Sequence, residues 1–239
     1  MLALKSTDNM TGVLISGDFW DLDELCSAIH HLTGKEDRYM DWQGARMRLL
    51  GVTSEIRYAY QGNRNIDFVA NGLHKEMMKS HDFIAPENNI YYSTEILWPE
   101  LVFSFIALND FIQLYKKYEF ANDFDLHIVN VRKFQALISE AWKDILTNEE
   151  YAVILSAVYS PETTVEEYAI QYIDMLNLSY IEMTKEQRTK SFSSIVQNII
   201  MENGEYEAIK KKVIAEASKT KSAIHDLRFN VNYPEQIEW

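Results

Sequence analysis

The spacing of apolar and polar positions divides the chain near residue 97. Before it, short apolar runs alternate with glycine-marked turns; after it, apolar residues recur every three or four positions for most of the remaining length. Gly12 to Leu32, GVLISGDFWDLDELCSAIHHL, holds both patterns within 21 residues. Val13, Leu14 and Ile15 form an apolar run bounded by Gly12 and Gly17, which predicts a buried strand. A helix follows, capped by Asp18 or by Asp21, each of which has the side chain and spacing to accept the unpartnered N–H groups of a first turn. Leu22, Leu25, Cys26, Ile29 and Leu32 fall on one face of that helix, and Gly34 ends it.

The same reading places further strands over residues 2–5, 66–71 and 90–97, and helices over 45–60 and, briefly, 73–80. A long helix over 98–118, with Pro99 at its first position, is apolar on nearly every side and is therefore expected at the centre of the core. Asn109 and Asp110 lie within it and need partners if buried. Helices are predicted over 127–146, 149–159, 164–177, 185–202 and 205–221, several opened by capping spacings: Thr147 with Glu150, Thr164 with Glu167, Thr184 with Gln187. Over 227–233 apolar and polar residues alternate strictly, so a last strand is expected to return to the N-terminal sheet. The fold class predicted is α+β: a small, mostly antiparallel sheet from the N-terminal half, joined by that returning strand and packed on a largely helical body.

Composition adds bounds. A chain of 239 residues with 47% apolar and 13% aromatic content is of globular type. No repeat, low-complexity run or flexible linker interrupts it, so a single domain over 1–239 is expected, with a mixed part (1–97), a helical part (98–226) and the returning strand (227–233). The net charge of −13 excludes nonspecific binding to nucleic acid. Cys26, the only cysteine, rules out an internal disulfide and sits on the apolar helix face, which makes it a core residue and fits a reducing compartment. The N-terminal MLALKSTDNM has no signal-peptide pattern, and the most apolar stretch, 96–108, is too short to span a bilayer. A cytoplasmic location without membrane contact is the expectation.

Three segments, GVLISGDFWDLDEL, GARMRLLGVTSEIRYAYQGNR and NIYYSTEILWPELVFSFIALND, together resemble a family of uncharacterised bacterial proteins of about this length. The resemblance covers most of residues 10–115. It implies a bacterial cytoplasmic protein and carries no catalytic residues with it.

Candidate chemistry is sparse. No pair among His30, His31, His74, His81, His127 and His225 has the i, i+4 spacing of joint metal ligands, and one cysteine cannot furnish a structural zinc site. His74 and His81 stand about 10 Å apart along a helix if their segment is helical throughout. Gly12 and Gly17 have the spacing that opens a phosphate loop, but Asp18-Phe19 replaces its Lys-Ser/Thr. Asp18, Asp21, Asp23 and Glu24 form a candidate Mg²⁺ site where strand hands over to helix; the alternative is a capped helix start with solvated charge. Five of eight arginines fall between residues 38 and 64. Arg46, Arg48, Arg57 and Arg64 are candidates for binding an anion; the alternative is internal pairing with Asp18, Asp21, Asp23, Asp37 or Asp41. Arg46 and Arg57 lie within about 20° of one direction on their helix. Tyr91, Tyr92, Trp98, Phe103 and Phe105 have core spacing, and Trp42 and Trp239 lie in loop or terminal positions where exposure favours a protein contact.

The function expected is a non-catalytic binding or interaction protein, without cofactor, that self-associates or takes a protein partner. The alternative is a Mg²⁺-dependent hydrolase or phosphoryl-handling enzyme using the Asp18–Glu24 carboxylates. An enzyme requires the acidic turn and the arginines to converge on a concave pocket; an interaction module buries the arginines in ion pairs beside an apolar patch.

Overall fold

The computed structural model describes residues 1–80, 86–229 and 232–239. Four segments pair as strands: β1 (Ala3–Ser6), β2 (Gly12–Gly17), β3 (Asn65–Ala70) and β4 (Asn88–Leu97). Their order is β1-β2-β4-β3, with every neighbour antiparallel. Val13 stands opposite Ile96 and Ile15 opposite Thr94, and all four are buried on the face that meets the helices. The strand period of two thus turns an apolar alternation into one core-facing surface.

Helix α1 (Phe19–Thr33) follows β2 directly and buries the predicted face of Leu22, Leu25, Cys26, Ile29 and Leu32. Helix α2 (Gln43–Tyr58) packs against it and runs into a π-turn, Ala59–Asn63, in which Gly62 takes φ 82°. A side chain there would be strained, so glycine suits the exit. After the short α3 (Lys75–Met78) and β4, helix α4 (Trp98–Glu119) is buried along most of its 22 residues, with Pro99 in its first turn. Helices α5 (Leu126–Lys143), α6 (Asn148–Val158), α7 (Gln171–Glu182), α8 (Lys185–Ile200) and α9 (Gly204–Thr220) complete the body. The architecture is α+β, as the pattern predicts.

The polar residues inside α4 find partners. Asn109 donates to the Val158 carbonyl at 2.9 Å and accepts from Arg132 and Gln135. Asp110 Oδ2 accepts from Trp42 Nε1 at 2.8 Å, from Thr164 Oγ1 at 2.7 Å and from the Val165 N–H at 2.8 Å. That last pair explains a departure from the predicted helix over 164–177. Thr164 serves Asp110 instead of capping a helix, and Glu167 takes φ 49° with its N–H on the Asp41 carbonyl. The helix therefore begins at Gln171 and runs on to Glu182. A half-buried carboxylate that gathers three donors outweighs a local capping preference.

The expected strand over 227–233 does not form among the described residues; Asn230 and Val231 lie outside them. The tail does return to the start of β2, but through side chains and loop carbonyls. Gln171 Nε2 donates to the carbonyls of Ile224 and Leu227, each at 2.7 Å, and the Asn9 N–H donates to the Trp239 carbonyl at 3.2 Å. The bond to Leu227 occupies a backbone acceptor at the start of the expected strand, and β2 already has neighbours on both sides. Tyr91 and Tyr92, expected in the core, are only half-buried, whereas Trp98, Phe103 and Phe105 are fully enclosed.

Gly12 marks the closest approach in the sheet. A Cβ there would stand 2.1 Å from the Ile96 carbonyl oxygen and 2.9 Å from the Trp239 ring. Gly12→Ala is therefore expected to lower stability by at least about 2 kcal/mol in urea titration. Gly51→Ala, where a Cβ meets nothing within 4 Å, serves as the control and should stabilise helix α2 slightly.

Candidate functional site

The acidic turn is a helix start. Asp18 accepts the Asp21 N–H at 3.0 Å, and Asp21 Oδ2 accepts the Asp18 N–H at 3.2 Å, a reciprocal capping box. Asp21 also pairs with the Met1 ammonium at 2.7 Å. Asp23 is half-buried near Tyr60, and Glu24 faces solvent. Among the described residues no group of three or more His, Cys, Asp or Glu side chains is close enough to hold a metal ion. His81 lies outside the described residues.

The arginines pair internally, with partners other than the expected aspartates. Arg46 Nε donates to the Gly34 carbonyl at 3.1 Å, and Arg57 Nη2 lies 2.7 Å from His30 Nε2. Both thus reach the second half of α1. Arg57 also acts on the Tyr60 phenol that Asp23 bonds, but among the described residues no ion pair joins Arg46 or Arg57 to Asp18, Asp21, Asp23 or Glu24. Arg64 pairs with Glu55 at 2.8 Å on the surface. Cys26 is a buried thiol with its pKa pushed up to about 12 by burial, as a core residue should be.

Arg48 is different. Its side chain is only 10% exposed and lies between two carboxylates, those of Glu100 (15%) and Asp174 (25%). Nε and Nη2 form a fork on Glu100, while Nη1 reaches Asp174 Oδ1 at 2.8 Å and the Ile170 carbonyl at 3.1 Å. Burial opposes the charge, but the two carboxylates outweigh it and hold Arg48 protonated. Asn177, 2% exposed, donates from Nδ2 to Glu100 Oε2 at 3.0 Å, and its Oδ1 has no partner among the described residues. The amide orientation follows from Glu100, because a carboxylate there can only accept.

This cluster lines a cavity of 790 Å³ between α2, β4, α4, α7 and the C-terminal tail. Glu55 and Glu95 add carboxylates; Phe229, Tyr233 and Trp239 of the tail add aromatic rings. Trp239 is a lining residue, and Trp42 is tied to Asp110, so neither tryptophan is a free surface anchor. Burial, reinforced by the Asp174 charge, raises the Tyr233 phenol above its ordinary pKa. The arginine cluster in the sequence pointed to Arg48, but nothing local linked it to Glu100, Asp174 or a tail more than 170 residues away.

A second feature is an uncovered part of the sheet. In the β3–β4 hairpin Ile66 stands opposite Tyr92 and Phe68 opposite Ile90, on the same face as Val13, Ile15 and Ile96. Ile66 (47%), Phe68 (72%) and Ile90 (47%) remain exposed, since the helices cover only the inner half of that face. Phe19 and Tyr60, in edge-on contact at 5.2 Å, border the region where the π-turn meets both strands. Phe120, Phe124 and Leu126 form a separate exposed apolar group after α4.

A family model described as a domain of unknown function, DUF6904, matches residues 2–239. No curated protein and no solved structure matches the chain.

Removing one partner from the enclosed pair strands a buried charge, so Glu100→Ala is expected to cost about 3–5 kcal/mol in denaturant unfolding, against under about 1 kcal/mol for Arg64→Ala in the exposed pair. A pH effect follows from two histidines. Burial first, then the charges of Arg57 and Arg46, lowers the His30 pKa; burial, then His31, lowers that of His127. The unfolded chain takes up these protons near the ordinary value of 6.5, before the folded one does. Stability therefore falls as pH drops below about 6.5, until the folded pKa values are reached. His30→Gln and His127→Gln should each shrink the loss measured between about pH 7.5 and 5.5.

Proposed function

We propose, for a chain that belongs to the DUF6904 family of unknown function, a non-catalytic interaction protein that self-associates through the β3–β4 hairpin. The observation that carries this reading is the apolar sheet face left open beside an unprotected edge strand. All six residues of β3 are exposed, and among the described residues β4 is the one strand that pairs with it. Natural sheets guard their edges with lysine, proline, short strands or a covering element. β1, the other edge, is four residues long, carries Lys5 and lies beside α5. β3 has only Asp67 as a charge and no proline.

A second copy of the chain suits this edge. Two β3 strands meeting antiparallel across a two-fold axis present identical surfaces to each other, so the interface is self-complementary by symmetry. Pairing would satisfy the free backbone groups of β3 and extend the sheet, while Phe68 and Ile66 of both copies close over the open apolar face. The long-range repulsion of a chain with net charge −13 opposes association, so the contact must draw on apolar burial and backbone bonds and should tighten with salt. The internal contacts of Arg48 and Arg64 with carboxylates, of Arg46 with the Gly34 carbonyl and of Arg57 with His30 support an interaction role over phosphoryl chemistry at Asp18–Glu24.

Light scattering across micromolar concentrations should give twice the 27.9 kDa of one chain. Phe68→Asp should weaken the dimer at least tenfold while shifting unfolding by less than about 0.5 kcal/mol, since the side chain is exposed in the single copy. A single-chain mass throughout overturns the reading. So does a dimer that survives Phe68→Asp but is lost in the Phe120→Ser, Phe124→Ser double variant, which would move the contact to the α4–α5 loop.

A further inference from the structure

The cavity between α2, α4, α7 and the tail raises a question separate from self-association: what its lining would accept. Its volume of 790 Å³ is that of a small-molecule site. Four carboxylates (Glu55, Glu95, Glu100, Asp174) face two guanidiniums (Arg48, Arg228). Arg64 neutralises Glu55 from outside the lining, which leaves three carboxylates against two guanidiniums. An anion gains little here. The Arg48 fork is already on Glu100, and its Nη1 is shared by Asp174 and the Ile170 carbonyl. An incoming carboxylate or phosphate would have to break a buried ion pair.

The groups left without partners are acceptors. Asp174 Oδ1 takes Arg48, and its other oxygen makes no hydrogen bond among the described residues. Asn177, almost wholly buried on the lining, has an unpartnered carbonyl oxygen next to Glu100. Buried acceptors are satisfied by donors, and an ammonium group is a donor in all three of its N–H bonds. The same lining carries the rings of Phe229, Tyr233 and Trp239 with Leu227 and Ile237, the Tyr233 phenol beside Asn177; they offer a surface for an apolar body and, through the ring faces, for a cation. Tyr233 keeps its phenol proton, so the wall adds no anion of its own.

We propose that this cavity binds an organic cation: a protonated amine directed at Asp174 and Asn177, on an apolar body packed against the tail aromatics. The carboxylates, on α2, β4, α4 and α7, and the aromatic rings, on the tail, come from separate stretches of the chain, so the site exists only with the tail in place. The proposal is independent of the dimer, because no residue used here belongs to β3.

The test is titration calorimetry of the full chain with hexylammonium, 1-hexanol and hexanoate, three probes alike in body and different in charge. Hexylammonium should bind, with the alcohol and the carboxylate at least tenfold weaker. Asp174→Asn should weaken hexylammonium at least tenfold. That variant also touches Arg48, so Tyr233→Leu, in the tail, is the second: it should weaken binding several-fold with an unchanged melting temperature. Hexanoate binding as tightly as hexylammonium overturns the proposal in favour of an anion site. Equal binding of 1-hexanol overturns it in favour of an apolar pocket. No heat from hexylammonium at about 10 mM, above the weak end of measurable affinities, overturns it outright, as does binding that neither variant alters.

Discussion

A guanidinium enclosed to one-tenth exposure must be neutralised where it stands, and in this protein that requirement ties three helices together. Arg48 belongs to α2, Glu100 to the first turn of α4, and Asp174 to α7. Desolvating the three groups is costly, and only the fork on Glu100 and the second carboxylate offset it. The position of α7 follows from this. It also fixes where the cavity opens, because the same helices form its floor and Asn177, one turn on from Asp174, completes it.

Asp110 does for the segment before α7 what Glu100 does for α7 itself. One oxygen gathers Trp42, Thr164 and Val165, and so joins the start of α2 to the chain that leaves α6. Arg188 supplies a third such point without any carboxylate. Buried at 5% exposure, it donates to the carbonyls of Tyr180, Ile181 and Asn9 and to Thr11 Oγ1, which holds the β1–β2 turn against α7 and α8. Each of these is a polar group that joins separate elements through several bonds at once, the arrangement that fixes one packing among many of similar apolar burial. Among the described residues the β3–β4 hairpin has no such tie to the helices. Its outer half leaves the helices behind, and its apolar face is open for that reason.

What was legible in the sequence follows the range of the interactions. The apolar run of β2, the β-prone residues of β4, a helix cap among Asp18 and Asp21, the boxes at Thr147 and Thr184 and the apolar girdle of α4 all act over a few residues, and each is present, with Asp18 as the cap. Thr164 with Glu167 has the same local signature and fails, because Asp110, 54 residues away, competes for Thr164. The alternation over 227–233 fails as a strand signal among the described residues for a similar reason: Gln171 takes the Leu227 carbonyl, and the apolar residues turn toward a cavity instead of a sheet face.

The sequence by itself determined most of the secondary elements, the α+β class and the buried central helix, because periodicity and capping are properties of neighbouring residues. The arginine-rich stretch marked α2 as a place for internal polar contacts, but of its three arginines only Arg48 meets carboxylates; Arg46 takes the Gly34 carbonyl and Arg57 faces His30. Only the tertiary structure decided these partners. Arg48 meets Glu100 and Asp174 rather than the nearby aspartates because three helices cross at that point, and the cavity beside them needs a tail from the far end of the chain. Ion-pair choice and cavity shape depend on how whole helices cross, and no stretch of sequence short enough to be read by period carries that information.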